Sequence, residues 1–327
     1  MTKLIEIREK LKDIYAKSGI YIRHILTFLL AFFSLFIVSR AVGSHSLIAN
    51  PLVCVAIALV CAFFPINVTV IVSTIYIIIN MFSVSLELAI IATAIILVVY
   101  LLYFRFAPKT GIILLLTPLF FCLKIPYLMP VVVALTVGLT GIVPTVCGCF
   151  IYYLVQFAAA NSSVITTMDA DNALQNITFI FNNILTNKEL VVVVVSFSMT
   201  IVLIYMLKRM SCKNAWTIAI VSGCIFDMLI QIISFAVMSV EYSIPLMIIG
   251  HIVAIGGGIL INFFIFSVDY NSTEYVQFED DDYYYYVKAV PKIKMAEPNV
   301  RVKHINKING TKGKIHTESF DDEEIDE

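Results

Sequence analysis

Apolar segments fill most of the chain from residue 21 to residue 267, and charged residues, prolines or glycines separate them. A helix needs about 20 apolar residues to cross a bilayer, and several of these segments have roughly 17 or fewer. The pattern predicts an all-α polytopic integral membrane protein with about ten transmembrane helices. The alternative is about eight full spans plus re-entrant segments. The predicted spans are 21–39, 47–64, 67–82, 86–104, 110–124, 126–141, 143–158, 190–207, 215–239 and 245–267.

The start of the chain has a different pattern. Leu4, Ile7, Leu11 and Ile14 recur at helical spacing, and lysines, arginines and acids occupy the remaining face. This spacing predicts an amphipathic helix, and its positive charge favours the inner leaflet of the membrane. Residues 1–20 are therefore predicted to form a cytoplasmic amphipathic helix that precedes the transmembrane domain.

Basic residues between the apolar segments predict the orientation of the chain. Arg105 with Lys109, the cluster at 208–213 and the lysine-rich tail after residue 287 are expected in the cytoplasm under the positive-inside rule. The loop 158–188, which is acidic rather than basic over most of its length, is expected outside. About ten spans satisfy all of these markers. These markers predict a multi-pass protein of the cell (inner, cytoplasmic) membrane. Both of its termini are predicted to lie in the cytoplasm.

A faint internal repeat accompanies the predicted spans. An offset of 61 residues aligns Cys61 with Cys122 and Pro65 with Pro126. Because each unit would contain an odd number of helices, the second copy would be inverted relative to the first, as in many transporters. Chance similarity between two helices rich in valine and isoleucine is the alternative. The two predicted units are 46–108 and 109–160.

The outer loop contains its own helical pattern. Leu174, Ile177, Phe181 and Ile184 recur at helical spacing in the stretch ADNALQNITFIFNNILT. The spacing predicts an interfacial helix that lies on the outer surface of the membrane. The candidate N-caps are Asp169 and Asp171.

Composition and motifs exclude several classes of protein. The chain is 60% hydrophobic and 14% charged, which excludes an ordinary soluble domain. The cysteines form no CxxC pair, and the nearest approach to one, Cys147 and Cys149, lacks a third ligand for a metal. HExxH, GxSG and GxxxxGK[ST] motifs are absent. No enzyme activity, cofactor or metal is therefore predicted.

The strongest candidate for intramembrane chemistry is an acid in the ninth predicted span. Asp227 lies near the middle of this span, and Gln231 is one turn further along the same face. His251 enters the tenth span at a similar depth. An acid within the membrane indicates an ion, substrate or proton site. The alternative is a hydrogen-bonded group that holds helices together.

The tail begins with two segments that are typical of β-strands. Residues 274–279 and 283–290 are rich in aromatic and β-branched residues, and acids at 280–282 separate them. They predict a cytoplasmic hairpin within a segment 268–295, in which Lys288 approaches Glu274 or Glu279. A two-stranded hairpin is marginal in water and needs a surface to pack on. The residues predicted to bind a partner are Phe278, Tyr283, Tyr284, Tyr285, Tyr286 and Lys288.

The remaining residues, 296–327, are basic and then acidic, which is typical of a disordered tail. The motif QFEDDDYYYYVKAVPK at 277–292 resembles the tails of multi-helix membrane proteins of clostridial-type bacteria. The resemblance implies a bacterial origin. It implies no activity and no catalytic residues, since that group has no established activity.

Two functions from different classes follow from these patterns. The leading hypothesis is a bacterial inner-membrane transport component, either a secondary carrier or a permease-like subunit whose hairpin recruits a separate ATPase. The alternative is a membrane scaffold or sensor that does not transport and whose cytoplasmic tail binds a partner protein through residues 274–295. In both cases the lipid bilayer is a partner and nucleic acid is not.

Overall fold

The computed structural model describes residues 2–42, 50–166, 173–210, 214–240, 243–265, 274–279 and 284–289. The chain divides into two units, Met1–Ser267 and Val268–Glu327. The helices of the first unit are α1 Thr2–Val42, α2 Pro51–Ala62, α3 Ile66–Phe82, α4 Leu86–Phe106, α5 Gly111–Cys122, α6 Leu128–Thr136, α7 Ile142–Thr166, α8 Ala173–Leu185, α9 Lys188–Leu207, α10 Ala215–Met238 and α11 Ile244–Ile265. A 3-10 turn at Gly138–Gly141 joins α6 to α7.

The all-α membrane fold is confirmed, whereas the number of crossings remains a prediction. Within the described ranges, six helical segments are long and apolar enough to cross a membrane. Three further apolar helices, α2, α3 and α5, are shorter than this limit, and α6 has 9 residues. At 1.5 Å per residue, α6 extends only about 14 Å. The six segments are Ile14–Val42, Leu86–Phe106, Gly138–Thr166, Gln175–Leu207, Ala215–Met238 and Ile244–Ile265.

Helix α1 combines the two predicted N-terminal elements. Ser18, with φ −126° and ψ 20°, leaves the helical region and produces a kink. The kink separates the amphipathic start of the helix from its apolar span. On the amphipathic part, Arg8 is buried and its guanidinium carbon lies 5.6 Å from the ring centroid of Phe263 at the end of α11. The start of α1 and the end of α11 are therefore at the same end of the bundle.

The ends of α6, α9 and α11 also lie together. Helices α9, α10 and α11 pack side by side in alternating directions, and α6 packs on α9 and α11. Lys208, directly after α9, donates hydrogen bonds to the carbonyl oxygens of Ala134 (2.5 Å) and Leu135 (3.2 Å) in the last turn of α6. Burial, with a smaller contribution from Arg209, lowers the pKa of the Lys208 ammonium. We call this end of the bundle, marked by Lys208 and Arg209, the basic end.

Helices α5 and α7 run parallel to each other, from the basic end towards the opposite end. Thr117 packs on Gly148, where a Cβ would lie 2.6 Å from the threonine Cβ. Four residues later in each helix, the rings of Phe121 and Tyr152 stack with centroids 4.4 Å apart. The short helix α6, which follows α5 and precedes α7 in the chain, returns towards the basic end. The three helices of the segment 111–166 thus follow one another through the bundle, each running in the direction opposite to the one before it.

The turn between α5 and α6 has an unusual residue in a common motif. Lys124 has φ 61°, in the left-handed region. Its N–H donates to the carbonyl of Phe121 (3.1 Å), and the Ile125 N–H donates to the carbonyl of Phe120 (3.0 Å), which is the Schellman pattern of helix termination. Glycine is usual at this position, and another residue costs about 1 kcal/mol there. The backbone alone therefore does not explain the choice of lysine.

Helix α8 forms where the outer loop was predicted to be helical, but it packs against protein. Ile180 and Ile184 are buried in a hydrophobic cluster with residues of α4 and α7, and Ile177 is half-buried. Phe181, which was predicted on the same face, is exposed. The interfacial location remains a prediction, and the predicted caps Asp169 and Asp171 lie outside the described residues.

The second unit contains an antiparallel pair of strands, β1 Glu274–Glu279 and β2 Tyr284–Ala289. The register pairs Lys288 with Tyr275, and it pairs Glu274 with Ala289 and Glu279 with Tyr284. Lys288 therefore faces a tyrosine across the pair and neither of the predicted glutamates. Tyr286, Val287 and Lys288 are exposed. Tyr283, the segment 296–327 and the side chains of Phe278, Tyr284 and Tyr285 lie outside the described residues.

Candidate functional site

Asp227 lies at the centre of the helical unit. It occupies the middle of α10, about 17 Å from each end of the helix at 1.5 Å per residue. Its side chain is buried, with 1% of its surface exposed. The hydroxyl of Thr200 on α9 donates to Oδ1 (3.1 Å), and the Gln231 amide donates to Oδ2 (3.0 Å). The acid therefore lies where an unpaired charge would be most costly.

His251 on α11 completes the arrangement around the acid. Its Nε2 lies 3.0 Å from Oδ2 of Asp227, and its Nδ1 lies 2.9 Å from the carbonyl oxygen of Met247. A carbonyl oxygen only accepts hydrogen bonds, so Nδ1 carries a proton. The contact between Nε2 and Oδ2 then holds one further proton, on either the imidazole or the carboxyl group. In both arrangements the Asp227–His251 pair has no net charge.

Tyr127, directly before α6, covers the imidazole. The two rings stack with centroids 4.1 Å apart and an interplanar angle of 20°. The close approach requires a glycine on α11, because a Cβ on Gly250 would lie 2.5 Å from Cδ2 of Tyr127. The short helix α6 therefore begins where its first residues can contact the site. Three helices, α9, α10 and α11, and the residue directly before α6 contribute to it.

Gln231 connects the acid to a second polar side chain, and one atom of its amide group has no hydrogen-bond partner among the described residues. Its amide nitrogen donates both to Asp227 and to the hydroxyl of Ser196 on α9 (3.3 Å). The Ser196 hydroxyl in turn donates to the carbonyl of Val193 (3.2 Å). The carbonyl oxygen Oε1 of Gln231 is buried and has no hydrogen-bond partner among the described residues. A buried acceptor of this kind is uncommon in a folded protein.

A cavity of about 350 Å³ reaches Gln231 from the end of the bundle opposite the basic end. Residues at the start of α9 and α11 and near the end of α10 line it, and these helix ends lie together because the three helices alternate in direction. Lys124 and Glu189 contribute charges of opposite sign. The other lining residues are Phe121, Pro126, Tyr127, Tyr152, Tyr153, Gln156, Val193, Phe197, Gln231, Phe235, Ser243, Leu246 and Met247.

A second cavity, of about 310 Å³, lies beside the first and is mostly apolar. Residues from α1, α3, α5 and α7 line it. The two cavities share Lys124, Tyr152 and Gln156. The turn after α5 therefore separates a polar compartment from an apolar one.

The structure brings the three residues of the predicted intramembrane site together. Thr200 and Ser196, which the sequence analysis did not single out, complete the network from α9. The sequence feature that could have identified them is their spacing of four residues, which places two polar side chains on one face of a valine-rich helix. Tyr127 carried no signal, since its role depends on where α6 begins. The predicted tail residues belong to the other unit.

Neither cysteine chemistry nor a metal site is found in the described part of the chain. Cys147 and Cys149 are free and buried, and the Cys147 thiol donates to the carbonyl of Val99 (3.5 Å). The described residues contain no group of three or more His, Cys, Asp or Glu side chains that could hold a metal ion.

No protein-family model, curated protein or solved structure matches this chain. The geometry around Asp227 is therefore the basis for inferring a function.

A methyl group at residue 250 is expected to displace Tyr127 from His251. Gly250→Ala should lower thermal stability in detergent, corresponding to about 1–3 kcal/mol, because overpacking forces neighbouring side chains to shift. Gly256→Ala is the matched control, since this glycine is on the same helix and a Cβ there would meet no atom within 4 Å. Equal melting temperatures for the two variants would contradict the close packing of α6 on α11.

Proposed function

We propose that this chain is a membrane transport component in which the Asp227–His251 pair is a proton-binding site beneath a substrate cavity. The observation that carries the proposal is a neutral, protonatable pair at the middle of the bundle, separated by Gln231 from a cavity that opens at one end. Ionisable groups at this depth are typical of ion and proton pathways. Short helices that end inside the bundle are typical of transporters.

The shared proton supports coupling between substrate and proton movement. Loss of this proton would leave one net negative charge on a pair with 1% and 3% of its residue surfaces exposed, which is unfavourable. A substrate that changes the hydrogen bonds of Gln231 would change this cost directly, because the same amide nitrogen donates to Asp227. The site therefore has a physical route by which binding in the cavity alters proton affinity.

Asp227→Asn separates proton binding from helix packing. Asparagine has nearly the same shape: its oxygen can accept from Thr200 and its NH2 group can donate to a neutral His251, and Gln231 would turn its amide so that Oε1 accepts the second N–H, but asparagine cannot exchange a proton. We expect normal protein level and stability with loss of substrate accumulation. The measurement is accumulation of compounds from a defined metabolite mixture by membrane vesicles, followed by mass spectrometry.

Ser222→Ala is the control for this experiment. Ser222 is on the same helix, and its hydroxyl donates only to carbonyls of its own helix, those of Ile218 and Ala219. This variant should accumulate the same compounds as the wild type. Accumulation at the wild-type level in Asp227→Asn would remove the acid from the mechanism. Identical profiles for wild-type vesicles and vesicles without the protein would contradict transport.

We further propose that about ten segments pass through the membrane, with the basic end in the cytoplasm of a bacterial cell. The alternating directions of α5, α6 and α7 support an odd number of passes between Lys109 and the outer loop. The helices α2, α5 and α6 are shorter than the hydrocarbon core, so protein or water would cover the free backbone groups of the turns that complete these passes.

Single cysteines in a cysteine-free background test this orientation. Replacement of Lys188 should give labelling by an impermeant maleimide in intact cells, because this exposed residue begins α9 at the end opposite the basic end. Replacement of Lys109 or Arg209, both exposed, should give labelling only after permeabilisation. Labelling of all three positions in intact cells, or the reverse pattern, would contradict the proposed threading.

The strand pair favours a second candidate function, a scaffold or sensor whose tail binds a partner protein. Tyr286 is 76% exposed and Val287 is 44% exposed on a two-stranded sheet. Such a sheet is only marginally stable by itself, and its edges can pair with another chain. The same surface would serve a permease subunit that recruits an ATPase.

Truncation after Asn271 is expected to release a partner that binds through the hairpin. The full chain and the truncated chain would be purified from native membranes in mild detergent, and co-purifying proteins identified. Tyr286→Ser in the full chain is the point-variant counterpart, because it alters one exposed strand residue. An ATPase held only by the full chain supports a permease subunit, and a non-ATPase partner supports the scaffold. Identical sets of partners would contradict a role for the hairpin in recruitment.

A further inference from the structure

The cavity above Gln231 combines three polar features that point to one class of ligand. Lys124 provides an ammonium group and Glu189 provides a carboxylate. Within the described ranges, neither residue forms an ion pair. Oε1 of Gln231, on a residue with only 1% of its surface exposed, is a hydrogen-bond acceptor without a partner there. A ligand that satisfies all three has an anionic group and a group that donates hydrogen bonds and carries positive charge.

The orientation of the Gln231 amide is fixed by its neighbours. Its two N–H groups donate to Asp227 and Ser196, so Oε1 is left on the remaining side of the amide. If the amide were turned by 180°, Oε1 would lie next to Oδ2 of Asp227. A contact between two acceptors would then replace the hydrogen bond that the amide nitrogen donates to Oδ2. The unpaired atom is therefore an acceptor, and it recognises a donor such as ammonium.

Lys124 has a backbone conformation that is unfavourable for lysine, and the residue lines the cavity. A lysine with φ 61° stands where a Schellman turn favours glycine. Non-glycine residues that are held in this conformation often have a role at a binding site. The turn places Lys124 on the cavity wall together with Gln156 and Tyr152.

Aromatic rings form much of the remaining wall. The rings of Phe121 and Tyr152 stack with centroids 4.4 Å apart, and Tyr153 and Phe197 also contact Phe121 at 6.0 and 5.9 Å between centroids. Ring faces accept both apolar groups and organic cations. A volume of about 350 Å³ lies at the small end of the range for ligand pockets.

From these features we propose that the cavity binds a small zwitterion with an apolar body. Its anionic group contacts Lys124, its ammonium group contacts Glu189 on the side of the cavity that Gln231 lines, and its apolar body packs on the aromatic wall. Opposite charges on the ligand and on the wall pair with each other and leave the complex without excess charge. The inference rests on the proposed function, and it names the class of substrate for that site.

Matched sets of compounds test the proposal on the full chain in lipid nanodiscs. One set is phenylalanine, 3-phenylpropionate, which lacks the ammonium group, and 2-phenylethylamine, which lacks the carboxylate. The other is leucine with 4-methylpentanoate and 3-methylbutylamine. Isothermal titration calorimetry should show that at least one zwitterion binds about tenfold or more tightly than both of its analogues, since each analogue leaves one charged wall group unpaired.

Two variants assign the two ends of the ligand. Lys124→Gly, which suits the left-handed turn, should remove the preference over the amine, and Glu189→Gln should remove the preference over the acid. The controls are Lys188→Gln and Glu87→Gln, because these residues carry the same charges near helix starts and do not line the cavity. They should bind like the wild type. No preference for either zwitterion, or a preference that both cavity variants retain, would overturn the proposal.

The binding measurement distinguishes failure of this inference from failure of the proposed function. Calorimetry requires no movement of the ligand across a membrane. A zwitterion that binds in a Lys124-dependent manner but does not accumulate in vesicles would contradict transport and support the site. Accumulation of a compound at equal rates by the wild type and Lys124→Gly would contradict the assigned substrate class and support transport.

Discussion

Asp227 and His251 share a hydrogen bond at the point where α9, α10 and α11 pack together. A charge at the middle of a membrane bundle is costly, and the shared proton keeps the pair neutral whichever group carries it. The contact joins α10 to α11, and the hydroxyl of Thr200 joins α9 to the same carboxylate. Each of these hydrogen bonds contributes on the order of 1 kcal/mol to helix association in a membrane. The contact that joins α10 to α11 therefore depends on a proton between Asp227 and His251.

The short helix α6 is the structural consequence of placing a ring over His251. A full span would continue past the site, whereas a helix of 9 residues begins beside it and presents Tyr127. The last carbonyls of α6 have no helical partners, and Lys208 donates to two of them. A half-helix is tolerated within a membrane bundle when protein groups form hydrogen bonds with its free backbone groups. The cavity lies over the start of α6, where a longer helix would have filled the space.

The sequence predicted the parts of the site that depend on local periodicity. Asp227 and Gln231 share a face because they are four residues apart, and the depth of His251 followed from the length of its apolar segment. The contribution of α9 was missed although Ser196 and Thr200 lie four residues apart, because apolar residues on every side of this helix do not indicate how it rotates against its neighbours. The role of Lys124 was not predictable, since a break in an apolar run does not reveal that the turn is left-handed. The strands were predicted from composition, but register depends on the turn, and Lys288 therefore pairs with Tyr275.

A role for Asp227 in packing alone does not account for all of the geometry. A polar network that only holds helices together is most stable when every donor and acceptor in it is satisfied, because an unpaired buried atom destabilises the network. The network satisfies the carboxylate and the amide nitrogen of Gln231, yet it leaves Oε1 unpaired beside a cavity that carries charges of both signs. Substitution of the glutamine would remove this cost without breaking the Asp227–His251 contact. The unpaired acceptor is therefore better explained by a ligand that approaches from the cavity than by the association of the helices.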